Sequence, residues 1–207
     1  SVLNPTVQPV FSNYQGDLKR LYVYSERLLL TLSYIGFFLT PLLFFTSEEI
    51  VLILFGDKWH ESIIYFQILS ISVFAQLIDS SSGAIMQSAN EPKKLFNSGI
   101  ICAFINIISI IIGAVVFKSV FYLSILMVIA FVLNLIVSLI YIYKMVFRAG
   151  LNKIGSLFFM PICACIIVVF ALLVISPLCN SFNIIVSFVI KIVVAIIAYS
   201  TFLILAK

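Results

Sequence analysis

Residues 95–143 read LFNSGIICAFINIISIIIGAVVFKSVFYLSILMVIAFVLNLIVSLIYIY, and Lys118 is the one charged side chain in that stretch. An apolar run of about 20 residues, rising 1.5 Å per residue as a helix, matches the hydrocarbon thickness of a bilayer. Two such runs, 95–117 and 120–143, are separated only by Lys118 and Ser119. They predict a pair of antiparallel membrane-spanning helices joined by a tight turn, because only closed hydrogen-bonding structures cross lipid.

Working outward, the same pattern recurs at 28–46, 62–86, 154–175 and 182–206. The expected fold class is therefore all-α, a polytopic membrane helix bundle of about six transmembrane helices. Composition agrees. Of 207 residues, 63% are hydrophobic and 10% charged, with a mean hydropathy of +1.25. A soluble domain is nearer about half apolar and a quarter charged, and cannot hide so much oil. Soluble enzymes, nucleic-acid binders, disordered tails and disulfide scaffolds are excluded.

Residues 1–27 read as the tail of a helix followed by a cytoplasmic surface segment with a short helix, and 28–207 as the transmembrane lobe. Pro41 predicts a kink or thinning in the first span. Ser47 with Glu48 and Glu49 predicts a helix N-cap followed by acids that suit the positive end of a helix dipole. The run after it is too short to span. It reads as an interfacial helix ended by Gly56, with Trp59 at headgroup level. The few residues between the last four spans predict antiparallel neighbours throughout.

Charge sets an expected orientation. All eight acids precede residue 92, so residues 1–91 sum to −4 and residues 92–207 to +8. Lys19, Arg20, Arg27, Lys93, Lys94, Lys144, Arg148, Lys153 and Lys207 fall on one side of the expected topology; Lys58 and Lys118 fall on the other. Bases favour the cytoplasmic side, so both ends of the chain are expected there. Nothing in this distribution calls for nucleic acid.

The span 62–86 carries most of the polar side chains. Ser72, Gln76, Asp79, Ser80, Gly83, Gln87 and Asn90 fall within an arc of about 100° if the helix is straight. A lipid-facing helix does not tolerate such a face. Ser72, Gln76, Asp79, Gln87 and Asn90 are thus transport-pathway candidates, against the plainer reading of helix packing. Asp79 is the sharpest of them, since an intramembrane carboxylate marks a functional site by default. Its structural alternative is a cap or bridge between helices. The run Ser80–Ser81–Ser82–Gly83–Ala84 reads as a close-packing signal.

Lys191, in the last span, is the remaining pathway candidate. It meets a phosphate or an acid from another helix, or else a tilted span leaves it near the interface; the second reading is preferred. Gly99, Cys102, Asn106, Ser109 and Gly113 form a small-residue packing face, and Asn134 and Ser138 are placed to hydrogen-bond between helices. Cys102, Cys163, Cys165 and Cys179 lie in or beside apolar runs without metal or redox spacing, so they read as small hydrophobes. His60, alone in a loop, completes no catalytic set. No phosphate loop, metal site or cofactor motif is present, and an enzyme is not expected.

Several stretches together resemble the polysaccharide transporter branch of the multidrug/oligosaccharidyl-lipid/polysaccharide flippase superfamily. They are PVFSNYQGD with Pro9, Ser12, Gln15 and Asp17, then ILFGDKW with Phe55, Gly56 and Trp59, then MQSANEPKK with Gln87 and Lys93. The resemblance covers about residues 8–150. It implies two helical lobes around a central cavity, of which this chain would hold the C-terminal one. It also implies a rocking transporter in the bacterial inner membrane whose partners are a lipid-linked oligosaccharide, membrane lipids and the missing N-terminal lobe. Its cargo would be an undecaprenyl-pyrophosphate-linked sugar unit for lipopolysaccharide O-antigen or capsule. The alternatives are a cation-coupled drug exporter of the same superfamily, a membrane-embedded polysaccharide polymerase, and a non-transporting scaffold.

Overall fold

The computed structural model describes residues 18–150, 152–179 and 182–205. The motif residues Pro9, Ser12, Gln15 and Asp17, and Lys207, lie outside the described residues. Among those described, the chain is helical with no strand.

Helix α1 covers Leu18–Phe45. It starts ten residues before the expected first span, so 18–27 continue that span's helix rather than forming a separate surface piece. The reason is a stripe of buried residues, Leu21, Ser25, Leu29, Leu32, Ser33 and Gly36, that repeats at helical spacing through the polar part. Pro41 is buried inside α1, and the helix continues past it.

Helix α2, Ser47–Phe55, follows almost without a break. The Thr46 amide donates to Leu42 O and the Ile50 amide to Thr46 O, at 3.0 and 2.9 Å. Ser47 is therefore not the N-cap that the sequence predicts. The flanking residue is Thr46, and no side chain caps the junction. A helix that continues has few orphan amides to satisfy. Gly56 ends α2 with φ 80° and ψ 177°, its amide donating to Leu52 O. That conformation belongs almost exclusively to glycine. A 3₁₀ segment, Asp57–Ser62, carries Trp59, which is 56% exposed beside Phe55.

The span expected at 62–86 is broken into α3 (Ile63–Ser70), α4 (Val73–Asp79) and α5 (Ser82–Ser88), with a 51° bend between the two halves. Serine causes it. The hydroxyls of Ser70, Ser72, Ser80, Ser81 and Ser82 each donate to the carbonyl three residues back, at 2.6–2.9 Å. Such back-bonding competes with the helical ladder and bends it. The Phe74 amide at the start of α4 donates instead to the Thr40 hydroxyl of α1, at 3.1 Å.

Helix α6 (Pro92–Ile111) ends in a π turn at Ile112–Val116, and α7 (Val120–Ile140) in another at Tyr141–Val146. Helices α8 (Asn152–Cys179) and α9 (Ile184–Leu205) complete the chain. Across the bundle the order is α6, α7, the broken span, α1, α8, α9, with α2 closing onto α9. The hairpins α6–α7 and α8–α9 are packed pairs as expected, but α8 makes its main contacts with α1 and α9 rather than with α7.

Small residues set the closest approaches. A Cβ on Gly36 would lie 2.8 Å from Phe74 Cα, and one on Gly113 would lie 2.7 Å from Leu123 Cα. The main core joins Leu21, Leu29 and Leu32 of α1 with Ile78, Ile85 and Met86 of the broken span and Leu139, Ile142 and Tyr143 beside α7. A smaller core joins Val168, Leu172 and Ala195. Phe104, Ile108, Phe170, Val174 and Ile204 point outward and are more than half exposed, which suits lipid as the surrounding solvent. Five helices are long and apolar enough to cross a membrane, and the bent pair makes up to six. This is an all-α, multi-pass type of bundle.

Candidate functional site

The broken span presents its polar groups on more than one helix, so the arc drawn for a straight helix is divided. Ser72 is fully buried at the first break. It accepts a hydrogen bond from Gln76 Nε2 at 3.0 Å, while Gln76 itself is exposed. Asp79 ends α4, half-buried, and its Oδ1 accepts from the Ser82 hydroxyl at 3.1 Å. Among the described residues no base pairs with it. Its charge opposes the C-terminal dipole of α4 but suits the start of α5. Gln87 is exposed near the far end of α5. Asn90 has φ 57° just after α5, and the Glu91 amide donates to Met86 O at 3.1 Å. That is the geometry of a left-handed residue closing a helix C-terminus, which asparagine tolerates well. Ser72, Gln76 and Asp79 therefore share α4 and its first break, and Gln87 and Asn90 belong to the next segment.

One helix further out, Asn134 Nδ2 of α7 donates to Asn106 Oδ1 of α6 at 2.9 Å. Asn134 is 6% exposed, and its own Oδ1 finds no partner. The pairing fits the packing face expected on α6, which also brings Cys102 within 4.0 Å of Asn134 O.

Lys191 lies elsewhere, on α9 against α2. The preferred expectation left it near the interface; the structure supplies an acid instead. Lys191 Nζ pairs with Glu49 Oε1 and donates to Phe45 O at 3.0 Å. The Ser187 hydroxyl donates to the same Glu49 oxygen at 2.6 Å. The side chains of Lys191 and Glu49 are 8% and 5% exposed, and Glu49 Oε2 has no hydrogen-bond partner. A buried pair of this kind offsets desolvation only through good geometry and added hydrogen bonds. Sequence reading missed Glu49 as the partner, having assigned it to the helix dipole. The available signal was a second ion of opposite sign at the rim of another apolar run.

At the opposite end of the bundle, the start of α1, the turn between α5 and α6 and the end of α7 enclose a cavity of about 670 Å³. Lys19, Lys94 and Arg148 line it with Tyr22 and Phe147, whose rings meet edge to face at 5.1 Å. Lys94 bridges Glu91 Oε1 and Met145 O at 2.6 and 2.7 Å, tying α6 to the π turn that follows α7.

Compared with known proteins, the chain is matched over residues 1–64 by the family described as polysaccharide biosynthesis protein. No curated protein and no solved structure matches it. The match covers α1, α2 and the interfacial Gly56–Trp59 turn but stops at the start of α3. The chain is a multi-pass type of membrane bundle that, over this first part, is similar to proteins of polysaccharide biosynthesis.

Proposed function

We propose that the chain is one lobe of a transporter in the bacterial inner membrane, with both ends cytoplasmic. It moves an undecaprenyl-pyrophosphate-linked oligosaccharide, an O-antigen or capsule unit, from one leaflet to the other. The observation that carries this reading is the broken span. Interrupted backbone at membrane depth is tolerated only where protein or a water-filled cavity covers it, and transporters place their sites at such helices. The similarity of residues 1–64 to a polysaccharide biosynthesis family supports sugar cargo. Gln76 and Asp79 supply hydrogen bonding and charge along the path. Asp79 has no basic partner among the described residues, and in this reading it is the group that couples movement to an ion gradient.

The test is flipping of a fluorescent undecaprenyl-pyrophosphate oligosaccharide in proteoliposomes that hold the intact two-lobe transporter, with and without a proton or sodium gradient. Asp79→Asn should abolish the gradient dependence while the protein stays folded. Equal gradient-driven rates for variant and wild type would defeat the coupling role, and no flipping by the wild type would defeat the transport reading. Orientation is tested by Asn152→Cys and Phe182→Cys, which should label from opposite faces of the membrane.

A further inference from the structure

The cavity at the basic end has a chemistry that the transport reading does not use. Tyr22, Val146 and Phe147 contribute an aromatic and apolar wall. Tyr22 rests edge-on against Tyr143, which is buried beneath it. Lys19 and Arg148 are exposed at the rim, and neither has an acid partner among the described residues. Glu91, the one acid among the described lining residues, is already held by Lys94. With three bases against that one acid, these residues sum to a formal charge of +2.

Arg148 adds a second observation. Its φ is 52°, in the left-handed region that favours glycine, as is that of Lys118 after the other π turn, at 48°. It follows the π turn at the end of α7, where the Phe147 amide donates to Ile142 O at 3.0 Å and the Ala149 amide to Tyr143 O at 2.8 Å. The backbone needs only a residue that accepts this conformation. An arginine there carries strain that its own side chain does not relieve through a hydrogen bond or ion pair among the described residues.

An apolar wall beneath a rim of unpaired cations at the end of membrane helices suits an amphiphile with an anionic head. Basic pockets between spans are a recurring form of phospholipid headgroup site. A guanidinium also grips two phosphate oxygens at once, where an ammonium acts as a point charge. We infer that this cavity binds the phosphate headgroup of an anionic phospholipid as a resident lipid of the bundle, with its acyl chains along the Tyr22–Phe147 wall and its phosphate between Lys19 and Arg148. This goes beyond the proposed transport, because the lipid stays in place rather than crossing the membrane.

The experiment titrates the full protein in neutral detergent with dioctanoyl phosphatidylglycerol and reads binding by native mass spectrometry. Arg148→Gly is the main variant, since glycine adopts the backbone there without strain; Lys19→Gln, at the exposed start of α1, is the second. Each should weaken binding about fivefold and the pair about 25-fold, as expected for bases at a membrane surface. Lys118→Gln, at the other end of the bundle, should leave it unchanged. Equal affinity for dioctanoyl phosphatidylcholine, or an unchanged affinity in the Arg148→Gly Lys19→Gln double variant, would overturn the proposal. Inorganic phosphate competing at the same concentration would reassign the site to a free anion. Displacement by equimolar undecaprenyl phosphate would reassign it to cargo. Either result overturns the resident-lipid inference without bearing on whether the protein flips sugar.

Discussion

Two ends of this bundle treat their charges in opposite ways. At one end Lys191 is buried, paired with Glu49, and bonded to the Phe45 carbonyl, with Ser187 donating to the same acid oxygen. At the other, Lys19 and Arg148 stand exposed around a cavity and have no acid partner among the described residues. Left-handed backbone occurs at both ends, at Gly56 and Lys118 at the first and at Asn90 and Arg148 at the second, so it is the charges that divide them. A buried charge must be paired because low dielectric makes an orphan ion costly. An exposed charge carries no such requirement and stays available to a ligand. The closed end is built for holding helices together and the open end for meeting something from outside.

The largest effect that sharpens this contrast is at Lys191. Lys191→Met leaves Glu49 as an unpaired acid in the interior and should cost about 3–5 kcal/mol. Changing both residues together, Glu49→Leu with Lys191→Met, should recover most of that loss, since an apolar pair of similar volume avoids desolvation altogether. The measurement is reversible unfolding in mixed detergent micelles for the two single variants and the double. If the double variant is no better than Lys191→Met, the pair is not the unit that closes this end.

Next in size is Gly56. The space around it is open, with no atom within 4 Å of an added Cβ, so sterics with neighbours are not the constraint. The constraint is the backbone itself, and Gly56→Ala should cost about 1–3 kcal/mol in the same assay. A neutral Gly56→Ala would mean that the turn between α2 and the Trp59 segment relaxes freely.

These two positions also mark what the sequence made legible. Gly56 was readable because a glycine after an apolar run has a local meaning at a helix end. The spans were readable because lipid imposes length and hydropathy on each helix separately. Asn134 was readable as a cross-helix donor because polar side chains in lipid need partners. The pairing of Glu49 with Lys191 joins residues 142 apart, and no local pattern carries that distance. The division of the polar arc was hidden for another reason. Periodicity assumes a straight helix, in which Ser72 reads as part of a polar face and Ser80–Ser82 as close packing, whereas Ser70, Ser72 and Ser80–Ser82 donate to carbonyls of their own segments. The start of α1 was obscured by charged residues that occupy only its outer face.

A smaller effect is expected at Lys94. Its side chain is 27% exposed, and solvent screens its pairing with Glu91. Lys94→Gln should cost no more than about 1 kcal/mol, most of it from the lost bond to Met145 O. A cost matching that of Lys191→Met would erase the difference between the two ends, because both would then rest on ion pairs.

The smallest effect is the most discriminating, because its expected sign is reversed. Arg148→Gly removes a cation from the open end and also relieves a left-handed backbone, a conformation that costs an ordinary residue about 1 kcal/mol. Glycine gives back part of that gain through the greater freedom of the unfolded chain. The net change should lie between zero and about 1 kcal/mol of added stability. The hydrogen bonds that close α7 use backbone amides of Phe147 and Ala149, and these survive the substitution. Unfolding of Arg148→Gly beside wild type in the same micelles measures it. A loss of more than about 1 kcal/mol would show that the guanidinium supports the fold. The open end would then be a second closed one. A neutral or stabilised variant shows that the guanidinium holds no part of the fold, so that at the open end it stays available to a ligand.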